Sequence, residues 1–152
     1  MFGKIVVAVD GSEASTAALN FAVNLASQSG TALTGVFVMD GGWPDFIGND
    51  WQSAKGARQG FLDYIRCEQE EQADAACRQF NEAANGGGQF GPFNFSILAG
   101  DPTEILLKLA NDQETGLLVT SRRVFQVSGR PSLKSLAKTL AQKASRPLLL
   151  VP

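Results

Sequence analysis

Apolar and polar residues alternate along the chain in blocks whose lengths predict strands and helices in turn. Four blocks are mostly apolar runs of strand length, and a fifth alternates apolar and polar residues as an edge strand does. Segments with apolar residues at helical spacing separate these blocks. The strand-like blocks span residues 4–10, 31–39, 93–99, 117–120 and 147–151. The pattern predicts an α/β fold for a single domain over 1–152, Rossmann-like, with a doubly wound parallel sheet and helices on both faces.

Capping signals mark the beginnings of two of the predicted helices. Ser12 can cap the first helix, and Glu13 in its first turn suits the helix dipole. Asp101 can cap the third helix, and Pro102 suits its first position. The four predicted helices span residues 12–29, 61–84, 101–110 and 133–144.

Residues 41–60 interrupt the regular alternation. This segment contains five glycines and one proline, together with Trp43 and Trp51. A long connection inside a small domain is often a lid or a binding loop. We predict a flap that folds over its own domain, and contact with a partner or a ligand is the alternative.

Composition excludes several classes of site. The chain has no histidine, so histidine-based catalytic triads and histidine-ligated zinc are excluded. Cys67 and Cys77 lie ten residues apart in one predicted helix, too far apart to form a disulfide there. No apolar run approaches the length of about 20 residues that a membrane helix needs. We therefore expect a cytoplasmic protein that does not span a membrane.

Charge is divided unevenly along the chain. Residues 1–114 hold all 15 acidic residues and carry a net charge of −9, whereas residues 115–152 carry +7. This division indicates an anion site near the C-terminus or complementary surfaces in an assembly, and a solvated basic helix face is the third reading. Nucleic-acid binding is not expected, because the basic positions lack interleaved aromatic residues and the overall charge is −2.

The loop that follows the fourth strand has the position of a ligand site. In open α/β sheets, ligands bind just beyond the carboxyl ends of the strands. Here the strand runs into Thr120, Ser121, Arg122 and Arg123, and the next glycine is Gly129. A phosphate-binding loop usually requires glycines, since they let the backbone approach an anion closely. The loop has the position of a nucleotide site without its usual composition.

The apolar composition of the last strand predicts that the protein self-associates. Residues 147–151 are apolar, and a bare apolar edge strand invites pairing with another chain. Pairing with the same strand of a second copy would cover it. We therefore predict a homodimer through this strand.

Three stretches together are similar to one known family. They are residues 4–15 (KIVVAVDGSEAS), the helix start at Gly100-Asp101-Pro102, and residues 146–152 (RPLLLVP). In combination they resemble the universal stress protein family over essentially the whole chain. The resemblance implies the strand order 3-2-1-4-5, a stress-linked role without established catalysis, and dimerisation through the last strand.

Part of that family binds ATP through a G-x-x-G-x9-G-[S/T] signature after the fourth strand. On this chain the three glycine positions fall on Thr120, Arg123 and Lys134, with Ser135 at the Ser/Thr position and one extra residue between. All three glycines are replaced. The base side of the site is better kept, and the resemblance assigns it to Ala8, Val9, Asp10 and Val38.

The replaced glycines decide the functional hypothesis. Long side chains in place of glycine force the loop onto another path, which misplaces its backbone donors. The candidate nucleotide or anion pocket therefore consists of Ala8, Val9, Asp10, Val38, Thr120, Ser121, Arg122, Arg123, Lys134 and Ser135. The leading hypothesis is a homodimeric regulatory or interaction protein with weak or no ATP binding and an unidentified protein partner.

One alternative is a nucleotide-binding switch in which arginines replace the glycine phosphate loop, because arginine can hold phosphate in a bidentate manner. An enzyme is the third class. It ranks last because the sequence shows no nucleophile–base pair, metal cluster or intact phosphate loop.

Overall fold

Five parallel strands form one sheet in the computed structural model, which describes residues 3–51, 56–87, 91–126, 129–130 and 135–152. The strands are β1 (Lys4–Ala8), β2 (Ala32–Asp40), β3 (Phe93–Gly100), β4 (Thr115–Ser121) and β5 (Leu148–Val151). They lie side by side in the order β3-β2-β1-β4-β5, and every neighbouring pair is parallel. The predicted α/β fold and strand order are confirmed, with strand ends within three residues of the predicted ones.

The most apolar strands lie at the centre of the sheet. Residues 5–8 of β1 are fully buried between β2 and β4, and every residue of β4 is buried. Burial on both faces of the sheet explains why the sequences of these strands are nearly continuous apolar runs. The chain leaves β1 toward β2 on one side and later returns to β4 on the other, so a crevice is expected beyond the ends of β1 and β4.

The described residues form five α-helices, four of which pack in two pairs. They are α1 (Thr16–Ser29), α2 (Trp43–Ile47), α3 (Ala57–Gly86), α4 (Pro102–Ala110) and α5 (Leu136–Lys143). Helix α1 packs with α3, and α4 packs with α5. The predicted caps form: the Ser12 hydroxyl accepts from the Ala14 amide in a 3₁₀ turn before α1, and the Asp101 carboxylate accepts from the Glu104 amide of α4.

The segment 41–60 differs from the expected loop. It contains the short helix α2, and α3 begins at Ala57, four residues before its predicted start. Helix α2 has Pro44 in its first turn and ends at Gly48, whose φ of 68° suits glycine. The Trp43 ring lies edge-on to Phe61 of α3, with centroids 6.2 Å apart. Tertiary packing therefore stabilises a helix too short to show a periodic pattern, and the flap assignment stays a prediction.

Gly35 of β2 gives a test of the packing on this face. A side chain at Gly35 would overlap the Phe80 ring, which packs against two phenylalanines of β3. We expect Gly35→Ala to lower the free energy of unfolding by about 1–3 kcal/mol, because overpacking a core forces neighbours out of place. Urea denaturation measures it. The control is Gly60→Ala at an open, exposed position of α3, where alanine should stabilise by about 0.5–1 kcal/mol. Equal effects at the two sites would contradict this packing.

Candidate functional site

Three aspartates stand at the carboxyl ends of the first three strands. Asp10 follows β1 by two residues, Asp40 is the last residue of β2, and Asp101 follows β3 directly. Because the strands are parallel, all three lie at the same edge of the sheet. Asp10 and Asp40 are each only 5% exposed, so their carboxylates need partners within the protein.

The Asp10 carboxylate is engaged by its own chain. One oxygen accepts from the Ser12 amide at 2.9 Å and from the Ser12 hydroxyl at 2.6 Å. The other oxygen accepts from the Phe125 amide at 2.9 Å, across 115 residues of sequence. The residue that the resemblance assigns to the base side of a nucleotide site therefore has both oxygens occupied by internal donors.

Phe125 is the residue that approaches Asp10. It has a φ of 64°, and it is the one non-glycine residue with positive φ among the described residues. This conformation costs a bulky residue on the order of 1–3 kcal/mol, so it persists only where the surroundings hold it. The ring is 5% exposed and lies edge-on to Phe37 of β2, with centroids 5.7 Å apart. The segment after β4 thus buries an aromatic ring at the ends of β1 and β2.

Arg130 connects the same segment to the next two strand ends. Its Nε donates to the two carboxylate oxygens of Asp40 at 2.8 and 2.9 Å, and its backbone amide donates to Asp40 Oδ2 at 2.9 Å. Its Nη2 donates to Asp101 Oδ1 at 2.7 Å. The hydrogen bond with Asp40 raises the pKa of Arg130 against the opposing effect of burial, and the charges of Asp40 and Asp101 raise it further. Arg130 therefore stays charged wherever the protein is folded.

These contacts place the segment after β4 across the sheet edge. We call residues 122–126 and 129–130 the crossing segment. It contacts the ends of β1, β2 and β3 in the order in which those strands lie in the sheet. In an open α/β sheet this edge is where ligands bind. In this chain the crossing segment occupies part of it.

The two predicted arginines begin the crossing segment and line a different part of the same edge. Arg122 and Arg123 are exposed, and within the described residues neither forms an ion pair. They line a cleft of about 420 Å³. The other lining residues are Glu13, Ala14, Ala17, Ser121 and Pro152. The cleft lies between the start of α1 and the ends of β4 and β5, so the arginines contribute positive charge there.

The remaining predicted site residues that the structure describes are buried or form hydrogen bonds within the protein. Ala8, Val9 and Val38 belong to the buried core, each at most 1% exposed, and Thr120 is fully buried. Ser121 is buried, and its hydroxyl accepts from the Arg123 amide. The Ser135 hydroxyl accepts from the Lys138 amide and caps α5. Lys134 lies outside the described residues.

The sequence analysis missed Phe125, Arg130 and Asp40 as site residues. A signal for them exists: an aspartate at or just after each of the first three strands, and a cation after the fourth. Parallel strands bring such residues to one edge, where opposite charges pair. The interactions themselves span 90 residues for Asp40 and Arg130, and no local period marks contacts of that range.

Fold and site together define the class of protein. A doubly wound parallel sheet in the order 3-2-1-4-5, with polar side chains gathered beyond its strand ends, is the architecture of nucleotide-binding α/β domains and their relatives. The chain belongs to the universal stress protein family, whose family model matches residues 1–152.

Solved structures share this fold at low sequence identity. A universal stress protein in complex with cAMP matches with a TM-score of 0.68 and 19% identity, covering 99% of this chain and 97% of that one. A universal stress protein from Archaeoglobus fulgidus in complex with dAMP matches at 0.65 and 19%, covering 98% and 97%. A family member from Burkholderia pseudomallei matches at 0.59 and 24%, covering 99% and 96%. No curated protein sequence matches significantly.

Neither a metal site nor a membrane-spanning helix is found in the described part of the chain. No group of three or more acidic or cysteine residues there is arranged to hold a metal ion. None of the helices it contains combines the length and the apolar character that crossing a membrane requires.

Proposed function

We propose that this protein is a regulatory or interaction protein of the universal stress type, with weak or no ATP binding. One observation carries the proposal: the Asp10 carboxylate is bonded to the Phe125 amide, and the Phe125 ring packs on Phe37. A ligand at the ends of β1 and β2 would have to displace both contacts. The apparent affinity of such a ligand is its intrinsic affinity multiplied by the fraction of molecules in which both contacts are broken.

The loop after β4 supports the same proposal. The glycine positions of the family signature hold Thr120, Arg123 and Lys134. A side chain at these positions prevents the close backbone approach that a triphosphate needs. Weak binding is therefore expected on both the base side and the phosphate side.

Calorimetric titration tests this proposal. Purified protein, checked for co-purified nucleotide, is titrated with Mg-ATP, ADP, AMP and cAMP, the last because a structural neighbour binds it. We expect no saturable heat below millimolar ligand. Micromolar binding of any of the four would contradict the proposal.

A second candidate is a nucleotide-binding switch that uses arginines. The observation in its favour is the cleft, in which Arg122 and Arg123 have no ion-pair partner among the described residues. Structural neighbours in complex with cAMP and dAMP add support. If this candidate is correct, nucleotide binds the wild-type protein. Arg123→Ala then weakens nucleotide binding at least about tenfold, which is the effect of losing a charged hydrogen bond. Arg66→Ala, on the surface of α3, is the control and leaves the affinity unchanged.

The proposal includes a homodimer through β5. All four residues of this edge strand are half-buried within one protomer, although three are leucines and one is valine. A lysine there would place a charge in an apolar interface. We expect Leu149→Lys to shift the mass measured by light scattering to that of a monomer. The control is Ile97→Lys on the opposite edge strand, where Ile97 is 49% exposed, and it should remain dimeric. A dimeric Leu149→Lys protein that keeps its circular dichroism would refute this interface.

The proposed setting is the cytoplasm, and the proposed partner is another protein. Residues 1–114 carry a net charge of −9, which opposes attraction to nucleic acid and to anionic membranes. No catalytic role is part of the proposal.

A further inference from the structure

Arg130 makes more ionic contacts than any other residue in the described part of the chain. Its guanidinium reaches two carboxylates on two different strand ends, and its backbone amide bonds to one of them. The backbone carbonyl of Asp40 also accepts a hydrogen bond from Gln69 of α3, so the main partner of Arg130 is itself fixed in position. A guanidinium held by several oxygens in fixed geometry resists displacement better than one in a single exposed pair.

A short connection joins Arg130 to Phe125. The Gly129 amide donates to the Phe125 carbonyl at 2.9 Å, which joins the two residues directly. A side chain on Gly129 would collide with that same carbonyl. Arg130, the next residue, is therefore linked to Phe125 through this hydrogen bond, and the position of one constrains the other.

Phe125 needs such a constraint. Its positive φ is unfavourable for a phenylalanine, and the conformation relaxes when its surroundings release it. Three contacts oppose this relaxation: the bond to Asp10, the packing on Phe37, and the hydrogen bond from Gly129, the neighbour of Arg130. Of these, only the third is held in place by the ion pairs of Arg130, which a charge change can break.

We propose that Arg130 is a latch: its ion pairs with Asp40 and Asp101 keep Phe125 packed against Asp10 and Phe37, and breaking them opens the ends of β1 and β2 while the sheet stays folded. The inference rests on the proposed function, in which Phe125 occupies the ends of these two strands. Opening frees one carboxylate oxygen of Asp10 and uncovers the Phe37 ring.

Amide hydrogen exchange tests the latch directly. The Phe125 amide donates to Asp10 and the Gly129 amide donates to the Phe125 carbonyl, so their exchange reports the opening of the crossing segment. In Arg130→Gln we expect both to exchange roughly 10- to 100-fold faster than in wild type, the factor expected for losing hydrogen bonds to charged groups. Amides of β4 should keep wild-type rates. Mass spectrometry or NMR measures both sets in the same sample.

A milder variant keeps the test decisive if Arg130→Gln unfolds. Asp101→Asn retains the cap of α4, because asparagine caps helices as well as aspartate does, and it removes one charge that holds Arg130. It should accelerate the Phe125 and Gly129 amides in the same direction with a smaller factor. The control is Arg66→Gln, which breaks an exposed ion pair with Asp63 on α3 and should leave these amides unchanged.

The outcomes separate the latch from the proposed function. Wild-type exchange at Phe125 in Asp101→Asn and in a folded Arg130→Gln protein would overturn the latch, even if no nucleotide binds. Acceleration of the β4 amides to the same extent would also overturn it, since that pattern is global unfolding. Micromolar nucleotide binding by wild-type protein would overturn the proposed function and leave the exchange result intact.

Discussion

Asp10→Ala should lower the free energy of unfolding by about 2–3 kcal/mol, because it removes a charged acceptor and leaves the buried Phe125 amide without a partner. The carboxylate accepts three hydrogen bonds, two from Ser12 and one from Phe125. Residues that serve a ligand usually contribute little to stability when the ligand is absent. A large loss of stability in the ligand-free protein would therefore mark Asp10 as a structural residue of this chain.

Urea denaturation of wild-type and variant protein measures the difference. Asp10→Asn is the matched variant: its amide oxygen can still accept from Ser12, but its NH₂ group would face the Phe125 amide, donor against donor. We expect an intermediate loss. Unchanged stability in both variants would mean that the contact between Asp10 and Phe125 contributes nothing and that the site is open.

The second large effect is on ligand binding. Phe125→Gly should raise the affinity for adenine nucleotides at least about tenfold, because it removes the ring that packs on Phe37 at the ends of β1 and β2. The loss of a buried ring should also lower the free energy of unfolding, by about 3 kcal/mol. Stability and affinity should therefore move in opposite directions.

The measurement is calorimetric titration of both proteins with AMP and Mg-ATP. Phe21→Ala is the control, since Phe21 is a half-exposed phenylalanine of α1 and its loss should change neither quantity much. A Phe125→Gly protein that remains folded and still binds no nucleotide would show that the crossing segment is not what weakens the site. The weak binding would then be attributed to the missing glycines after β4.

Local signals in the sequence predict most of this fold. Apolar runs bounded by capping residues mark the strands and four of the five helices, and the resemblance to the family supplies the strand order. Helix α2 could not be predicted, because five residues show no period and its stability comes from Trp43 packing on Phe61. The early start of α3 also involves α2, since Arg58 in the first turn of α3 donates to the carbonyls of Gly48 and Pro44.

The candidate site was predicted less completely. Asp10, Arg122 and Arg123 lie beyond the ends of β1 and β4, and Ser121 is the last residue of β4, because topology determines these positions. Whether these residues form a binding site stays a prediction. What these residues touch was not predictable, since the partners of Asp10 and Asp40 lie 115 and 90 residues away. Whether a cavity or a side chain of the same chain occupies a strand end depends on such distant contacts.

The separation of these contacts has a consequence for synthesis of the chain. A nascent chain that has emerged only through β4 has four of its five strands, yet it lacks Phe125 and Arg130. Asp10, Asp40 and Asp101 then stand at one sheet edge with no cation among them, and like charges at close range repel. Contacts of such long range form late in folding. These contacts at the strand ends should therefore form only after the C-terminal residues have been synthesised, and until then this region stays incompletely folded.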